Sequence, residues 1–388
     1  MKHLLYITNA RIPTEKAHGV QIMKSCEAFA RTGARVTLIV PRRVNALKEN
    51  PFRYYGVKPV FSIRKISSPD FFRIPFFPRS AAFFLHAVIF ALAAVTQLFF
   101  RHSKDAIYYS RDYVTLFFLC LFGFHPIAEI HDYRASRPKR AIGFIAARAK
   151  KIVVNSEGTF AALNAHYALA RGKCAVVSNG VDPLFFAVKE SRDEARMKLG
   201  MPKDAFIIGY VGGLETIGRE KGVATLLEAF HVLSHAAKRY IVYVVGGPAS
   251  RAQQYKKRAT ELGIPPHQAV FTGHIPYTDI PLYLKAMDAV VIPLPATEHA
   301  LTTSPIKLFE FFAAGKVIIA SDLPALRAHL NEKNALFFEP ENARDLAQKM
   351  QFIAEHPEEK DRLSRQAALD ATNHTWDSRA KNIIDFIA

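Results

Sequence analysis

The sequence predicts an α/β protein: two Rossmann-like parallel-sheet domains facing a central cleft. Three observations predict it. Short apolar runs alternate with segments of helical periodicity along the chain, the pattern of repeated βαβ units. The alternation is interrupted at Asn179-Gly180-Val181-Asp182, a turn sequence, and resumes after a charged stretch from Pro183 to Pro202 that has no core pattern. The 388 residues, half of them hydrophobic, suffice for two full cores. This places domains at 1–185 and 186–370, with 371–388 as a terminal helix packing back on the first.

Leu4 to Thr8 reads as the first buried strand, followed by a loop to Gly19. Ile22, Cys26, Phe29 and Ala30 recur at helical spacing, Gly33 ends that helix, and Arg35 to Val40 is the next strand. A ligand-binding loop follows the first strand of such sheets, although a lone Gly19 is not a dinucleotide fingerprint. Ala106 to Ser110, Ile127 to Ile130, Lys151 to Ser156 and Cys174 to Asp182 supply further strands. His131 stands at the end of one of them, where a side chain points into the ligand crevice or is satisfied structurally. Arg134 and Arg137 lie in the basic run after it, suited to an acceptor entrance.

Asp70 to Arg101 is crowded with Phe and Arg. Ala81 to Phe100 has the length of a membrane span. His86, Thr96 and Gln97 interrupt it, and a span would split the domain, so a buried helix is expected. Asp70 to Arg79, with Arg73, suits either an interfacial membrane contact or a packed loop.

In the second half, Phe206–Val211, Ile241–Val245, Ala269–Thr272, Ala289–Ile292, Val317–Ala320 and Ala335–Phe338 read as strands. Gly212 and Gly213 form a turn after the first of these. Arg219 and Lys221-Gly222 then open a helix, a cationic arrangement suited to a diphosphate.

The formal net charge of +18 is uneven. Residues 1–190 hold 28 Lys and Arg against 11 Asp and Glu, and residues 191–388 hold 24 against 23. The first half therefore faces something anionic, an acceptor or a membrane surface. No nucleic-acid-binding motif is present. Cys26, Cys120 and Cys174 form neither metal spacing nor a disulfide framework, consistent with a reduced cytosolic setting. Met1-Lys2 runs directly into a strand, so no signal peptide is expected.

The richest stretch is Thr302 to Asp322. Thr303 and Ser304 before Pro305 mark a helix N-terminus. Its first N–H groups, at Thr303, Ser304, Ile306, Lys307 and Leu308, make an anion seat. Ile306, Phe309, Phe312 and Ala313 take core spacing, Gly315 caps the end, and Glu310 could hold paired hydroxyls such as a ribose. A capped helix with a solvated Glu is the bland alternative.

Ser304-Pro305-Ile306-Lys307-Leu308-Phe309-Glu310 resembles the donor motif of the family-four glycosyltransferases, retaining enzymes of the GT-B fold. His18-Gly19, His131-Asp132, Asn179 to Asp182 and Lys221-Gly222 resemble further family motifs, in the family's order. The chain departs at Thr302, where a Glu is usual, and at Gly213, where an Arg is usual. The resemblance implies sugar transfer from a nucleotide diphosphate sugar with retention. Glu310 would hold the ribose, and Lys221, Arg219 and the helix N–H groups the diphosphate. Gly19 and Gly213 would lie near the donor, and His131 would touch the sugar. It implies no protein nucleophile, no cofactor and no metal. It points to a saccharide or lipid-linked acceptor, cytoplasmic or on the inner face of the cell membrane. A GT-B epimerase or hydrolase, or a catalytically lapsed sugar-nucleotide-binding protein, are the alternatives.

Overall fold

A computed structural model gives the fold. It describes residues 3–69, 78–101, 106–131, 133, 138–170, 172–216, 219–234, 239–298, 300 and 304–388, with main chain alone at 79, 101, 216 and 219. The chain divides into two compact units, Met1–Ser178 with Trp376–Ala388, and Asn179–Thr375. The 179–182 turn belongs to the second unit because the Val181 N–H donates to the His374 carbonyl at 2.7 Å.

The first unit is built on β1 (His3–Ile7), β2 (Arg35–Arg42), β3 (Ser62–Ser67), β4 (Ile107–Ser110), β5 (Ile127–Ile130), β6 (Lys151–Val154) and β7 (Cys174–Val176). They form one parallel sheet in the order β3-β2-β1-β4-β5-β6-β7. Leu4 pairs with Val36 on one side and Ile107 on the other, so the strand order reverses between β1 and β4. Ligands bind at such a reversal, beyond the carboxyl ends of the strands. Edge strand β3 was not expected. Its Ser-Ile-Arg-Lys-Ile-Ser sequence buries Ile66 alone, so it lacks the apolar run that marks inner strands.

The apolar segment folds as the helix Arg79–Arg101. It is not the buried helix the sequence led us to expect. Phe90, Ala94, Val95 and Leu98 enter the core, while Phe84, Phe99 and Phe100 are 63, 60 and 84% exposed. Residues 70–77, including Arg73, lie outside the described residues. The terminal helix Trp376–Ile387 buries Trp376, Arg379, Ala380 and Ile383 in the first unit.

The second unit contains β8 (Phe206–Val211), the hairpin β9 (Glu215–Thr216) and β10 (Arg219–Glu220), then β11 (Tyr240–Val245), β12 (Ala269–Gly273), β13 (Ala289–Ile292), β14 (Val317–Ser321) and β15 (Ala335–Phe338). Its six-stranded sheet runs β12-β11-β8-β13-β14-β15, the same winding as the first, with the reversal between β8 and β13. Core layers cover both faces, one containing Ile207, Val245 and Phe309, the other Ile208, Leu226 and Phe230. Burial on both faces is why these strands read as unbroken apolar runs.

Candidate functional site

The second unit gathers its polar groups at the reversal between β8 and β13. The helix Ile306–Ala313, between β13 and β14, begins later than expected: Pro305 is its N-cap, without a side-chain cap. The Ile306 and Lys307 N–H groups lie in its open first turn. The Leu308 N–H donates to the Pro305 carbonyl at 3.1 Å, so that group is engaged within the chain. Thr303 lies outside the described residues. Leu308 to Phe312 are all buried, so the helix is covered all round rather than along the single stripe expected through Ile306 and Ala313. Ser304 is buried, and its carbonyl accepts from Asn179 Nδ2 at 2.8 Å.

Two lysines converge here. The Lys307 ammonium sits 4.2 Å from the centre of the Tyr210 ring. Its Nζ is buried and, among the described residues, has no hydrogen-bond partner. Burial, reinforced by Lys221, holds its pKa well below the usual lysine value, with Glu310 opposing. Burial lowers Lys221 as well. Gly222 delivers Lys221 from the hairpin with φ +80°, and a Cβ there would stand 1.5 Å from the Pro293 carbonyl oxygen. Only glycine satisfies both conditions. Gly213 is exposed, and its carbonyl accepts from the Tyr210 hydroxyl at 2.7 Å. The Lys307 stem passes beside neighbouring Gly212, where an added Cβ would meet Cδ at 3.6 Å. Arg219 lies in β10, and its side chain is outside the described residues.

Glu310 is buried. Burial raises its pKa to about 7, with Tyr277 and Lys307 opposing and Asp182 reinforcing. Asn179, Asp182 and Tyr277 thus belong to this constellation. The sequence reading took the first two as a turn and did not single out Tyr277. The available signal was an Asn and an Asp flanking one turn, both able to reach back toward a neighbouring helix start.

In the first unit, His131 ends β5. Its Nε2 lies 2.8 Å from Oε1 of the fully buried Glu129. Burial, reinforced by Arg111, lowers the His131 pKa to about 4 against the pull of Glu129. Tyr6 Oη and Gln21 Nε2 also donate to Glu129, at 3.1 and 2.9 Å, as does Arg379 from the terminal helix. Burial works against ionised Glu129, but Arg379, His131 and Arg111 outweigh it and hold its carboxyl well below the usual range. Sequence reasoning missed Glu129, Arg111 and Arg379. A Glu inside the apolar strand Ile127–Ile130, two positions before His131 and so on the same face, was the usable signal.

Gly19 is buried in the first turn of the helix Ala17–Arg31, and an added Cβ would stand 2.2 Å from the Tyr55 hydroxyl. Close packing therefore requires glycine there, independently of any ligand. Arg134 and Arg137 lie outside the described residues. Among the described residues, no group of three or more His, Cys, Asp and Glu is placed to hold a metal ion.

Comparison with known proteins agrees with this fold. Residues 19–184 match the family model described as Glycosyltransferase Family 4, and residues 191–370 match Glycosyl transferases group 1. A D-inositol 3-phosphate glycosyltransferase of Thermomonospora curvata is 25% identical over 255 residues, 62% of this chain and 57% of that protein. The putative teichuronic acid biosynthesis glycosyltransferase TuaC of Bacillus subtilis is 30% identical over 160 residues, 41% of this chain and 36% of that protein. These matches span about half or less of the relatives' lengths. The structure of Anabaena Alr3699/HepE in complex with UDP superposes with a TM-score of 0.76 at 15% identity, covering 99% of both chains. With residues 19–184 and 191–370 each matched by a glycosyltransferase family model, so that together they cover most of the sequence, the chain belongs to glycosyltransferase family 4.

Proposed function

We propose that the chain is a retaining glycosyltransferase that moves a sugar from a nucleotide diphosphate sugar to an acceptor hydroxyl. The observation that carries this reading is the buried Lys307 Nζ, which has no hydrogen-bond partner among the described residues and lies beside Lys221. A buried lysine nitrogen held beside a second, partly buried lysine costs stability. A diphosphate offsets that cost and accepts hydrogen bonds from the Ile306 and Lys307 N–H groups.

In this reading Lys221, Lys307 and Arg219 hold the diphosphate and stabilise it as the leaving group. Glu310 accepts the ribose hydroxyls, and Gly213 and Ser304 border the donor. His131 touches the transferred sugar, as the family resemblance implies. The anomeric carbon–phosphate oxygen bond breaks, and the bond to the acceptor oxygen forms on the same face. The acceptor proton passes to the departing phosphate oxygen. No protein nucleophile takes part, and lysines stand in place of a divalent metal. UDP in the HepE structure supports a nucleotide donor. The relatives named for inositol phosphate and teichuronic acid support a role in glycolipid or surface polysaccharide synthesis, carried out in the cytoplasm at the inner face of the cell membrane.

A thermal-shift screen with UDP, GDP, ADP, TDP and their common sugars tests this, repeated with Glu310→Ala and with EDTA. One nucleotide at about 100 times its Kd stabilises the wild type by about 2.7 kcal/mol, with or without EDTA, and the variant much less. No shift with any nucleotide overturns the reading. Turnover of donor without acceptor indicates an epimerase or hydrolase, and binding without any turnover a lapsed enzyme.

A further inference from the structure

The helix Arg79–Arg101 has two unlike faces. Its inner face is part of the core, where Phe90, Ala94, Val95 and Leu98 pack with Leu5, Ile7 and Ile39. His86 is fully buried, 3.1 Å from the Ser68 hydroxyl. Leu85, Leu92 and Phe99 recur every seven residues along its outer face and are 37, 38 and 60% exposed. Seven residues make nearly two turns, so the three form one stripe. Phe84 and Phe100 flank it. The sequence from Ser80 to Phe100 carries no acidic or basic residue other than the buried His86. The patch continues onto the next helix. The Phe122 ring lies 6.3 Å from that of Phe99, and Leu121 and Phe122 are 52 and 42% exposed. A contiguous exposed apolar surface of this kind marks an interaction site.

Charge identifies the partner. The unit that carries this stripe holds 29 Lys and Arg against 11 Asp and Glu, while the other unit holds 23 against 23. The whole formal net charge of +18 therefore sits on the unit with the exposed aromatic face. We propose that the outer face of the helix Arg79–Arg101 docks the first unit onto an anionic lipid bilayer, lying in the interface plane. Apolar side chains enter the acyl boundary while basic residues of the same unit are drawn to anionic headgroups. The helix does not cross the membrane, because extracting it would strip Leu5, Ile7 and Ile39 of their cover. The inference deepens the membrane-side part of the proposed function and is independent of the donor site.

The test is co-sedimentation of the full chain with vesicles of equal parts phosphatidylcholine and phosphatidylglycerol, and with phosphatidylcholine alone. Wild type sediments with the mixed vesicles and far less with the neutral ones. Leu92→Ser with Phe99→Ser lowers the bound fraction by about tenfold or more. The nucleotide thermal shift of the double variant matches wild type, which shows that it is folded and separates the two readings. A wild type that stays in the supernatant overturns the proposal. So does a double variant that sediments like wild type, or one that differs from wild type only in having lost self-association, which makes the face a contact between copies. Equal binding of both proteins to a random DNA duplex, with no vesicle binding by either, also overturns it.

Discussion

His131 and Glu129 stand on the same face of one strand, with His131 Nε2 2.8 Å from Glu129 Oε1. Because the imidazole is held neutral and the carboxylate ionised, Nε2 carries the proton and donates it to Glu129. Nδ1 is left as the acceptor. Glu129 also neutralises Arg379, which is buried on the terminal helix and donates from Nε to the Ser178 carbonyl at 3.0 Å. Glu129→Gln leaves that guanidinium without its counter-charge. We expect a loss of about 3–5 kcal/mol in urea denaturation. A loss below about 1 kcal/mol would mean that solvent already reaches the pair.

Lys307→Met replaces a buried ammonium with an apolar chain of similar length. Since Nζ has no hydrogen-bond partner among the described residues, removing it is expected to raise the thermal midpoint. The same change weakens nucleotide diphosphate binding by about tenfold or more, a difference of about 1.4 kcal/mol in binding free energy. Calorimetry and melting curves on one preparation check both. A variant that is less stable and binds equally well would make Lys307 a structural residue.

Glu310 links nucleotide binding and stability to pH. Its folded pKa of about 7 lies above the ordinary carboxylate value, so the folded state keeps this proton longer than the unfolded chain does. The contribution favours folding at acid pH and is lost as pH rises through about 7. The stability of Glu310→Gln relative to wild type should therefore increase between about pH 5 and about pH 8. Nucleotide affinity moves the other way in wild type, rising with pH as the carboxylate becomes the acceptor for ribose hydroxyls, and this rise is absent in Glu310→Gln. Parallel affinity profiles would remove Glu310 from the donor site.

Gly213 stands where the family usually has Arg. A Cβ added there meets nothing closer than the Glu215 carbonyl at 3.7 Å, so Gly213→Arg should fold with a thermal midpoint close to wild type. If Lys307 and Lys221 already hold the diphosphate, the added guanidinium tightens UDP binding several-fold, by about 1 kcal/mol. Isothermal titration checks this, and an unchanged Kd would place the diphosphate away from the 212–213 turn.

Much of the fold was legible in the chain because its signals are local. The inner strands of both sheets show as apolar runs, since each is covered on both faces. Edge strand β3 and the hairpin of β9 and β10 were missed because they are short and largely polar, with little apolar burial to mark them. The helix Arg79–Arg101 was legible as a helix but not as half-exposed. Its apolar residues occur on every side, so periodicity could not separate the inner face from the outer one. At the candidate site, Lys221, Lys307 and Glu310 were legible through their motif. Tyr277 and Arg379 were not, because nothing in their local sequence reports what they face, and Asp182 showed only as part of a turn.

The sequence by itself determined the order of the inner strands, the uneven placement of charge, and the run from Ser304 to Glu310, because each depends on neighbours in the chain. The tertiary structure alone decided which titratable groups meet. It placed Asp182 and Tyr277 against Glu310, Lys221 beside Lys307, and Arg379 against Glu129 across 250 positions of sequence. The physical reason is that the charge state of a buried group depends on its desolvation and on which partners share its low-dielectric surroundings, and only the folded chain brings those partners together.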